Sequence, residues 1–420
     1  MSHTLLKLTL ATLLGLYGCV HAVAAPDEDK LGKQQGYPVG NSVNWFYDES
    51  VRVGSFTHQS EIPNIANGGV NELEPSSRPM RLTVASREPA FRWSQGTERN
   101  LTVDDYLNRQ RVMGLIIVKD GVIQLERYQY DRKSTHRFLS NSMAKSIAAL
   151  AVGISLGEGK IRSLEDKAVT YAPEIAGTLY GETTVRNLLR MASGARFTEE
   201  YNGKDDFARY TQASRQSGIA AGARVIVDRE APQGIRFNYA SAETDMLAAV
   251  VRGATGQTLS AYLTPRLWQA IGAETSARWL TDKSGLERAS GNFNATLRDF
   301  ARLGIVMAND GVRPDEPNAK PIVPREFLME ATDWKLSPEA FRPGKATPYY
   351  GYGYQFWTFP GERRRFAFLG VYGQVIMVDP GQKLIMVQTT ANATAKPGQT
   401  TLGRELDALW RGVVNHYGPW

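Results

Sequence analysis

The stretch Ile147-Ala148-Ala149-Leu150-Ala151-Val152-Gly153-Ile154-Ser155-Leu156, preceded by Met143 and Ala144, is apolar on every side of a helical wheel. A helix with no polar face cannot lie on a surface, so it is enclosed by other elements in the middle of a domain. Its first turn holds one charged residue, Lys145, three positions after Ser142. Residues at i and i+3 share a helix face, so the amine can reach the hydroxyl. A hydroxyl becomes a useful nucleophile when a base takes its proton. Apolar surroundings and the positive end of the helix dipole both push a lysine toward its neutral, basic form. The Ser142 N–H, at the helix start, is free to hold a developing oxyanion. The spacing alone also fits an N-cap-like serine followed by a solvated lysine. The buried helix around it argues for the chemical reading.

The N-terminus reads as a targeting segment. Lys7 precedes a short apolar stretch, Leu8 to Val20, then Ala22-Val23-Ala24-Ala25, which has the small residues of a cleavage site. The stretch is too short to span a bilayer, so residues 1–24 are expected to be a signal peptide and the mature chain to carry no integral membrane segment. A periplasmic or secreted location follows. The alternative is a lipoprotein acylated at Cys19, in Leu16-Tyr17-Gly18-Cys19. Cys19 is the single cysteine, so cleavage after Ala24 or Ala25 leaves a chain without disulfides, thiolate catalysis or cysteine metal sites. His58, His136 and His416 are far apart and match no metal-ligand spacing, so no metal and no cofactor are expected. The one G-x-S-x-G match, Gly153-Ile154-Ser155-Leu156-Gly157, lies inside the apolar helical run and not at a strand-to-helix turn, so no nucleophile elbow frames a serine. The net charge of +6 is spread along the chain, and Arg363-Arg364-Arg365 reads as a hairpin tip, so no nucleic-acid partner is expected.

Residues 25–100 are rich in Gly, Pro, Asn and Ser and read as an irregular N-terminal arm. The remainder, 101–420, begins with Met113 to Val118 and Val122 to Arg127 around Asp120-Gly121, a strong hairpin signal. From about 160 to 280 the pattern is mostly helical. A short helix is expected over Thr184 to Met191, another over Ala242 to Arg252 stopped by Gly253, and one capped by Thr296 and Asp299 that runs to Met307. Tyr352–Thr358, Arg365–Leu369, Gln374–Asp379 and Leu384–Thr390 read as strands, and Leu402–Val414 as a closing helix. Strands at both ends with helices between predict one α/β (α+β) domain built from both termini, with a helical region inserted.

Two further segments complete a candidate site. Tyr239, in Phe237-Asn238-Tyr239-Ala240-Ser241 just before a helix, could shuttle a proton, or be a half-buried tyrosine with its hydroxyl in water. In Phe368-Leu369-Gly370-Val371-Tyr372-Gly373-Gln374, glycines interrupt a strand, marking either close approach of a ligand or a bulge.

In this order and spacing the three segments resemble the class C β-lactamase-like family of serine hydrolases, from about Val103 to the C-terminus. Ser142-Met143-Ala144-Lys145-Ser146 and the block Leu188 to Tyr201 are most similar to the subgroup of 6-aminohexanoate-dimer hydrolases and related carboxylesterases. The resemblance implies a β-lactamase/transpeptidase-like fold, an antiparallel sheet flanked by helices. It implies Ser142 as acylated nucleophile, Lys145 as its base, Tyr239 as general acid-base, and the N–H groups of Ser142 and Val371 as oxyanion hole. It implies that Tyr201 bonds the scissile amide nitrogen, and that Phe368 and Gly370 lie against substrate. Phe368 replaces the lysine of the β-lactamase Lys-Thr-Gly motif, and Ser241 replaces the usual Asn, which argues against β-lactamase activity. The expected activity is hydrolysis of a small ester or amide. The alternatives are a penicillin-binding-type peptidase acting on peptidoglycan, and a catalytically silent envelope binding protein. Neither the acyl group nor the oligomeric state is legible.

Overall fold

The computed structural model describes residues 25–65 and 68–420. The expected signal segment and Cys19 lie outside the described residues. Two chain-distant groups of strands form one sheet. From the N-terminal side come β1 (Val112–Lys119) and β2 (Val122–Tyr128), and from the C-terminal side β3 (Phe366–Gly370), β4 (Gln374–Asp379) and β5 (Leu384–Thr390). The order is Gly351–Tyr352, Trp357–Thr358, β3, β4, β5, β1, β2, Thr83–Val84. Every pairing is antiparallel except the last, where Thr83–Val84 runs parallel to β2. β5 against β1, from Leu384↔Lys119 to Thr390↔Val112, joins the two ends of the chain. The expected hairpin is present, and Asp120 and Gly121 both take positive φ (50° and 78°), the backbone a two-residue turn needs.

The central strands read as unbroken apolar runs because both faces are covered. Ile116, Val118, Ile376 and Val378 enter the larger core with α1 (Met143–Gly157), α2 (Val185–Leu189), α3 (Ser241–Thr255) and α4 (Leu297–Ala308). Leu115, Ile117, Val375 and Met377 face the opposite way, against Leu406, Leu409, Trp410 and Val413 of α5 (Leu402–Tyr417). Helix α1 packs on β3 on one side and on α3 on the other, and all thirteen of its residues from Met143 to Ser155 are buried. Burial of each large aliphatic side chain contributes about 1.5–3 kcal/mol.

Two boundaries differ from the sequence reading. The helix expected to stop at Gly253 continues to Thr255 and ends at Gly256, which takes the left-handed φ of 71°. Gly253 lies inside the helix because a Cβ there would come within 1.8 Å of the Tyr171 carbonyl oxygen. The expected strand Tyr352–Thr358 is two short strands around a turn in which Gln355 takes φ 63°. The Gln355 side chain then reaches inward. It donates to the Leu188 and Leu189 carbonyls (3.0 and 3.1 Å) and accepts the Thr244 hydroxyl (2.7 Å), while Ser146 donates to its backbone carbonyl (2.6 Å). One buried amide thus links the helical region to the sheet edge.

Ahead of Leu101, the helix Arg52–His58 packs on Arg137–Leu139, and Val70–Leu73 pairs with Ala277–Leu280 in a second, four-stranded sheet. Among the described residues no helix is long and apolar enough to cross a membrane.

Candidate active site

Ser142 stands where Arg137–Leu139 gives way to α1. It is the N-cap residue, at φ −70° and ψ −1°, yet its hydroxyl makes no capping bond. The residue before it, Asn141, holds φ 44°, a conformation that costs a non-glycine residue about 1–3 kcal/mol. Its amide donates to the Val371 carbonyl at 3.0 Å, tying the loop to the end of β3. Gly370 permits that closeness: a Cβ there would lie 2.4 Å from the Ser140 carbonyl oxygen. The glycine signal marked close approach of backbone to backbone.

Lys145 is 2% exposed, and its Nζ lies 3.0 Å from Ser142 Oγ. The same amine donates to the Ser290 carbonyl at 2.6 Å. Burial pulls its pKa down from 10.5 to about 8, while the charges of Glu199 and Asp245 work in the opposite direction. A neutral fraction of about one tenth at pH 7 leaves the amine a lone pair to accept the serine proton. The Tyr239 ring centroid is 5.1 Å from Lys145 Nζ, and the Tyr239 hydroxyl lies within the electrostatic reach of Ser142. Tyr239 is half-buried, stacked on Trp357 (5.6 Å, 29°) and edge-on to Tyr352. Desolvation, then the Glu199 charge, hold its pKa well above the usual phenol value, so it keeps its proton.

Ser142 and Val371 both line a cavity of about 590 Å³, and each begins a helical turn, where the N–H has no intrahelical acceptor. Tyr201 and Glu199 line the same cavity. Glu199 is 8% exposed and accepts three hydrogen bonds: from the Tyr201 hydroxyl (2.6 Å), the Ser241 hydroxyl (2.7 Å) and the Ser241 N–H (2.8 Å). Ser241 thereby has a use of its own at the position where an Asn was expected. Asp245, on α3, accepts the Tyr210 hydroxyl and the Ser290 N–H, both at 2.7 Å, and so fixes the turn whose carbonyl holds Lys145. Trp45, Phe46 and Tyr47 close another wall; Phe46 packs on Tyr372 (5.1 Å), whose hydroxyl donates to the Phe46 carbonyl at 3.0 Å.

The structure therefore brings Ser142, Lys145, Tyr239, Tyr201 and Val371 together, with Lys145 and Tyr239 standing behind Ser142. Phe368 and Gly370 lie apart from the cavity wall. Phe368 is fully buried and packs edge-on against Phe356 at 4.9 Å, so its side chain belongs to the core beneath the site. Glu199, Asp245, Ser290 and the Trp45–Tyr47 segment were not singled out in the sequence. Glu199 sits in the block ending at Tyr201, but nothing local marks its three donors. Among the described residues no three His, Asp or Glu side chains converge as a metal site requires.

Residues 101–409 match the family model described as Beta-lactamase. The 6-aminohexanoate-dimer hydrolase of Paenarthrobacter ureafaciens is 25% identical over 330 residues, covering 77% of this chain and 83% of that protein. A Bacillus anthracis protein provisionally called a 6-aminohexanoate-dimer hydrolase superposes with TM-score 0.77 at 25% identity, over 90% of this chain and 96% of that one. EstCE1, a hydrolase with promiscuous acyltransferase activity, shares the fold at TM-score 0.58 and 15% identity, over 74% and 96% of the two chains.

Proposed function

The chain belongs to the beta-lactamase family of serine hydrolases, and on that premise we propose that it cleaves a small amide or ester through an acyl-enzyme on Ser142. The observation that carries this reading is the 3.0 Å contact of Ser142 Oγ with a buried lysine whose pKa is drawn down to about 8.

In this reading neutral Lys145 accepts the Ser142 proton as the oxygen attacks the substrate carbonyl. The negative charge that develops on the carbonyl oxygen is met by the N–H groups of Ser142 and Val371. Such donors act strongly where water is scarce, each typically worth a factor of about 100 or more in rate. Tyr239 keeps its proton in the resting site, so its first act is to give that proton to the leaving amine or alkoxide. The proton held by Lys145 restores the phenol. Water then attacks the acyl-enzyme, its proton passing through the same two groups back to Ser142, and the acid departs.

Amide cleavage is favoured by one detail. The Tyr201 hydroxyl spends its proton on Glu199 at 2.6 Å, which leaves the phenol oxygen as an acceptor on the cavity wall. An amide leaving group carries an N–H to donate there; an ester carries none. The family resemblance at 25% identity to 6-aminohexanoate-dimer hydrolases supports the same choice. Parallel assays of p-nitrophenyl esters, ω-amino-acid oligomers and nitrocefin test the reading. Turnover of the first two, absent in Ser142→Ala, is expected. Nitrocefin as the sole substrate, or stable labelling by fluorescent penicillin, would reject it in favour of a penicillin-directed enzyme.

A further inference from the structure

The first step of the proposed reaction creates a cation inside the protein. As Ser142 Oγ bonds to the substrate carbonyl carbon, the carbonyl π pair moves onto its oxygen and the Oγ proton passes to Lys145 Nζ, which becomes an ammonium. Lys145 is 2% exposed, so that charge forms away from bulk water. A buried charge is unfavourable unless opposite charge and hydrogen bonds meet it. The carboxylates whose charges act on the amine are Glu199 and Asp245. Glu199 already orients Tyr201 and Ser241 on the cavity wall. Asp245 has no such duty toward the substrate side of the site.

Asp245 is buried on α3, the helix that packs on α1. Its two oxygens take different donors, both at 2.7 Å: Oδ2 accepts the hydroxyl of Tyr210, from the helix Asp206–Ser217, and Oδ1 accepts the Ser290 N–H. The Ser290 carbonyl accepts Lys145 Nζ at 2.6 Å, and the same Nζ lies 3.0 Å from Ser142 Oγ. A line of hydrogen bonds thus runs from the carboxylate, through the backbone of a single residue, to the base and the nucleophile. One residue of backbone spans at most about 3.6 Å, so the carboxylate is held near the amine at a set distance.

Holding Tyr210 and Ser290 does not by itself require a charge. An amide in the same place can accept from Ser290 through its oxygen and donate to the Tyr210 oxygen through its nitrogen, at a smaller desolvation cost than a carboxylate. The cost of the carboxylate is offset where a cation appears beside it. Desolvation pushes the Asp245 pKa up, while the bonds from Tyr210 and Ser290 and the Lys145 charge pull it back toward the ionised form. The other charged group that Asp245 acts on is Arg288, at the start of the Ser290 turn, where Arg215 and Asp282 also act. Around Lys145 the remaining groups are Glu199 and the Tyr239 ring.

We propose that Asp245 is the positioning residue of the base: through Ser290 it fixes the Lys145 amine against Ser142, and its negative charge steadies the ammonium that forms when Lys145 takes the serine proton. The proposal rests on the serine-hydrolase reading. It makes Lys145 a stronger base than burial alone would allow, without placing an ion pair directly on the amine, where a carboxylate would compete with Ser142 for it.

The test is the pH profile of kcat/KM for a short p-nitrophenyl ester, measured on the full chain. Wild type should rise with pH and level off above a midpoint of about 8. Asp245→Asn keeps both hydrogen bonds and loses the charge, and removing a negative charge lowers the pKa of a nearby amine. Its midpoint should therefore fall by about one unit, and its plateau by about threefold, because a weaker base takes the serine proton less readily. The ratio of variant to wild type then climbs about tenfold from the plateau down to the acid limb. Tyr210→Phe removes one bond and leaves the charge, so it should slow the plateau without lowering the midpoint. Circular dichroism checks that each variant is folded, and Asp245→Ser, which removes the charge in a smaller volume, carries the same expectation if the Asn variant does not fold. Parallel profiles in wild type and the Asp245 variants, whatever the loss in rate, overturn the proposal, since Asp245 would then only hold the turn. So does a midpoint that falls as far in Tyr210→Phe. Fluorophosphonate labelling over the same pH range separates the two levels. Labelling of Ser142 with unshifted Asp245 variants sinks the role of Asp245 and keeps the acyl-enzyme reading. Turnover retained in Ser142→Ala sinks that reading and the proposal with it.

Discussion

Tyr201 donates its hydroxyl proton to Glu199 at 2.6 Å, so at the cavity wall the phenol can only accept. Neither residue alone would set that polarity. The backbone of Tyr201 is held in the left-handed region, φ 58°, while its N–H and that of Glu200 both donate to one oxygen of Asp205. The ring is therefore presented by a strained, hydrogen-bonded turn rather than by a free loop.

From this follows a difference between amide and ester substrates. Tyr201→Phe should lower kcat/KM for an amide about tenfold, the value of one hydrogen bond of roughly 1–1.5 kcal/mol. A matched ester, which has no N–H to offer, should lose no more than about threefold. Steady-state kinetics on an amide and ester with the same acyl group checks this. Equal losses would leave Tyr201 a packing residue against Phe207 and Phe46.

The pH dependence follows from Lys145. The base must be neutral, so kcat/KM should climb about tenfold per unit at low pH and level off above a pKa of about 8. The stability effect has its own sign. The folded pKa lies below the unfolded value of 10.5, so the native state binds fewer protons between about 8 and 10.5 and gains stability as pH rises through that window. Relative to wild type, Lys145→Met should be favoured at pH 6.5 over pH 10.5 by about 3 kcal/mol, read by urea unfolding. A pH-independent difference would show that the buried amine carries no penalty.

Nitrocefin should be turned over poorly. The position of the Lys-Thr-Gly lysine is filled by Phe368, which is fully buried in the core. Arg365, just ahead of β3, is buried at 1% exposure: its Nε donates to Asp379 at 2.5 Å and its guanidinium lies 4.3 Å from the Trp420 ring centroid. A β-lactam carboxylate beside the scissile bond finds no partner on β3. Nitrocefin kcat/KM comparable to that of a short p-nitrophenyl ester would contradict this.

Gln355 offers a test of the frame that carries the site. Gln355→Leu keeps the volume but strands the Thr244 hydroxyl and the carbonyls of Leu188 and Leu189 in the interior. Loss of about 2–4 kcal/mol in chemical denaturation is expected. A loss under about 0.5 kcal/mol would show that water replaces the amide.

What the sequence disclosed, and what it concealed, follows from distance along the chain. The buried helix, the Asp120-Gly121 hairpin and strands β3 to β5 were legible because their signals are local: all-round apolarity, a turn dipeptide, short runs between glycines. Ser142 and Lys145 were legible because three residues of helix fix their geometry. Glu199, Asp245 and Ser290 were not, since each has a partner far along the chain: Ser241 for Glu199, Tyr210 for Asp245 and Lys145 for Ser290. Gly253 was misread because a glycine at a helix end and a glycine under a crossing backbone look alike until Tyr171 is in place. Phe368 was expected at substrate because the motif placed it beside Gly370, whereas its side chain is packed against Phe356 in the core. Trp45 to Tyr47 gave no signal at all; their walling of the cavity is a tertiary fact.

The central claim is that Ser142, activated by Lys145, is the group that becomes acylated. Intact-mass analysis and peptide mapping after brief exposure to a fluorophosphonate measure it directly. The account predicts one adduct, on Ser142, formed faster as pH rises toward 8 and beyond, and abolished in Ser142→Ala together with turnover of amide and ester. An adduct on another residue, with activity retained in Ser142→Ala, would contradict it.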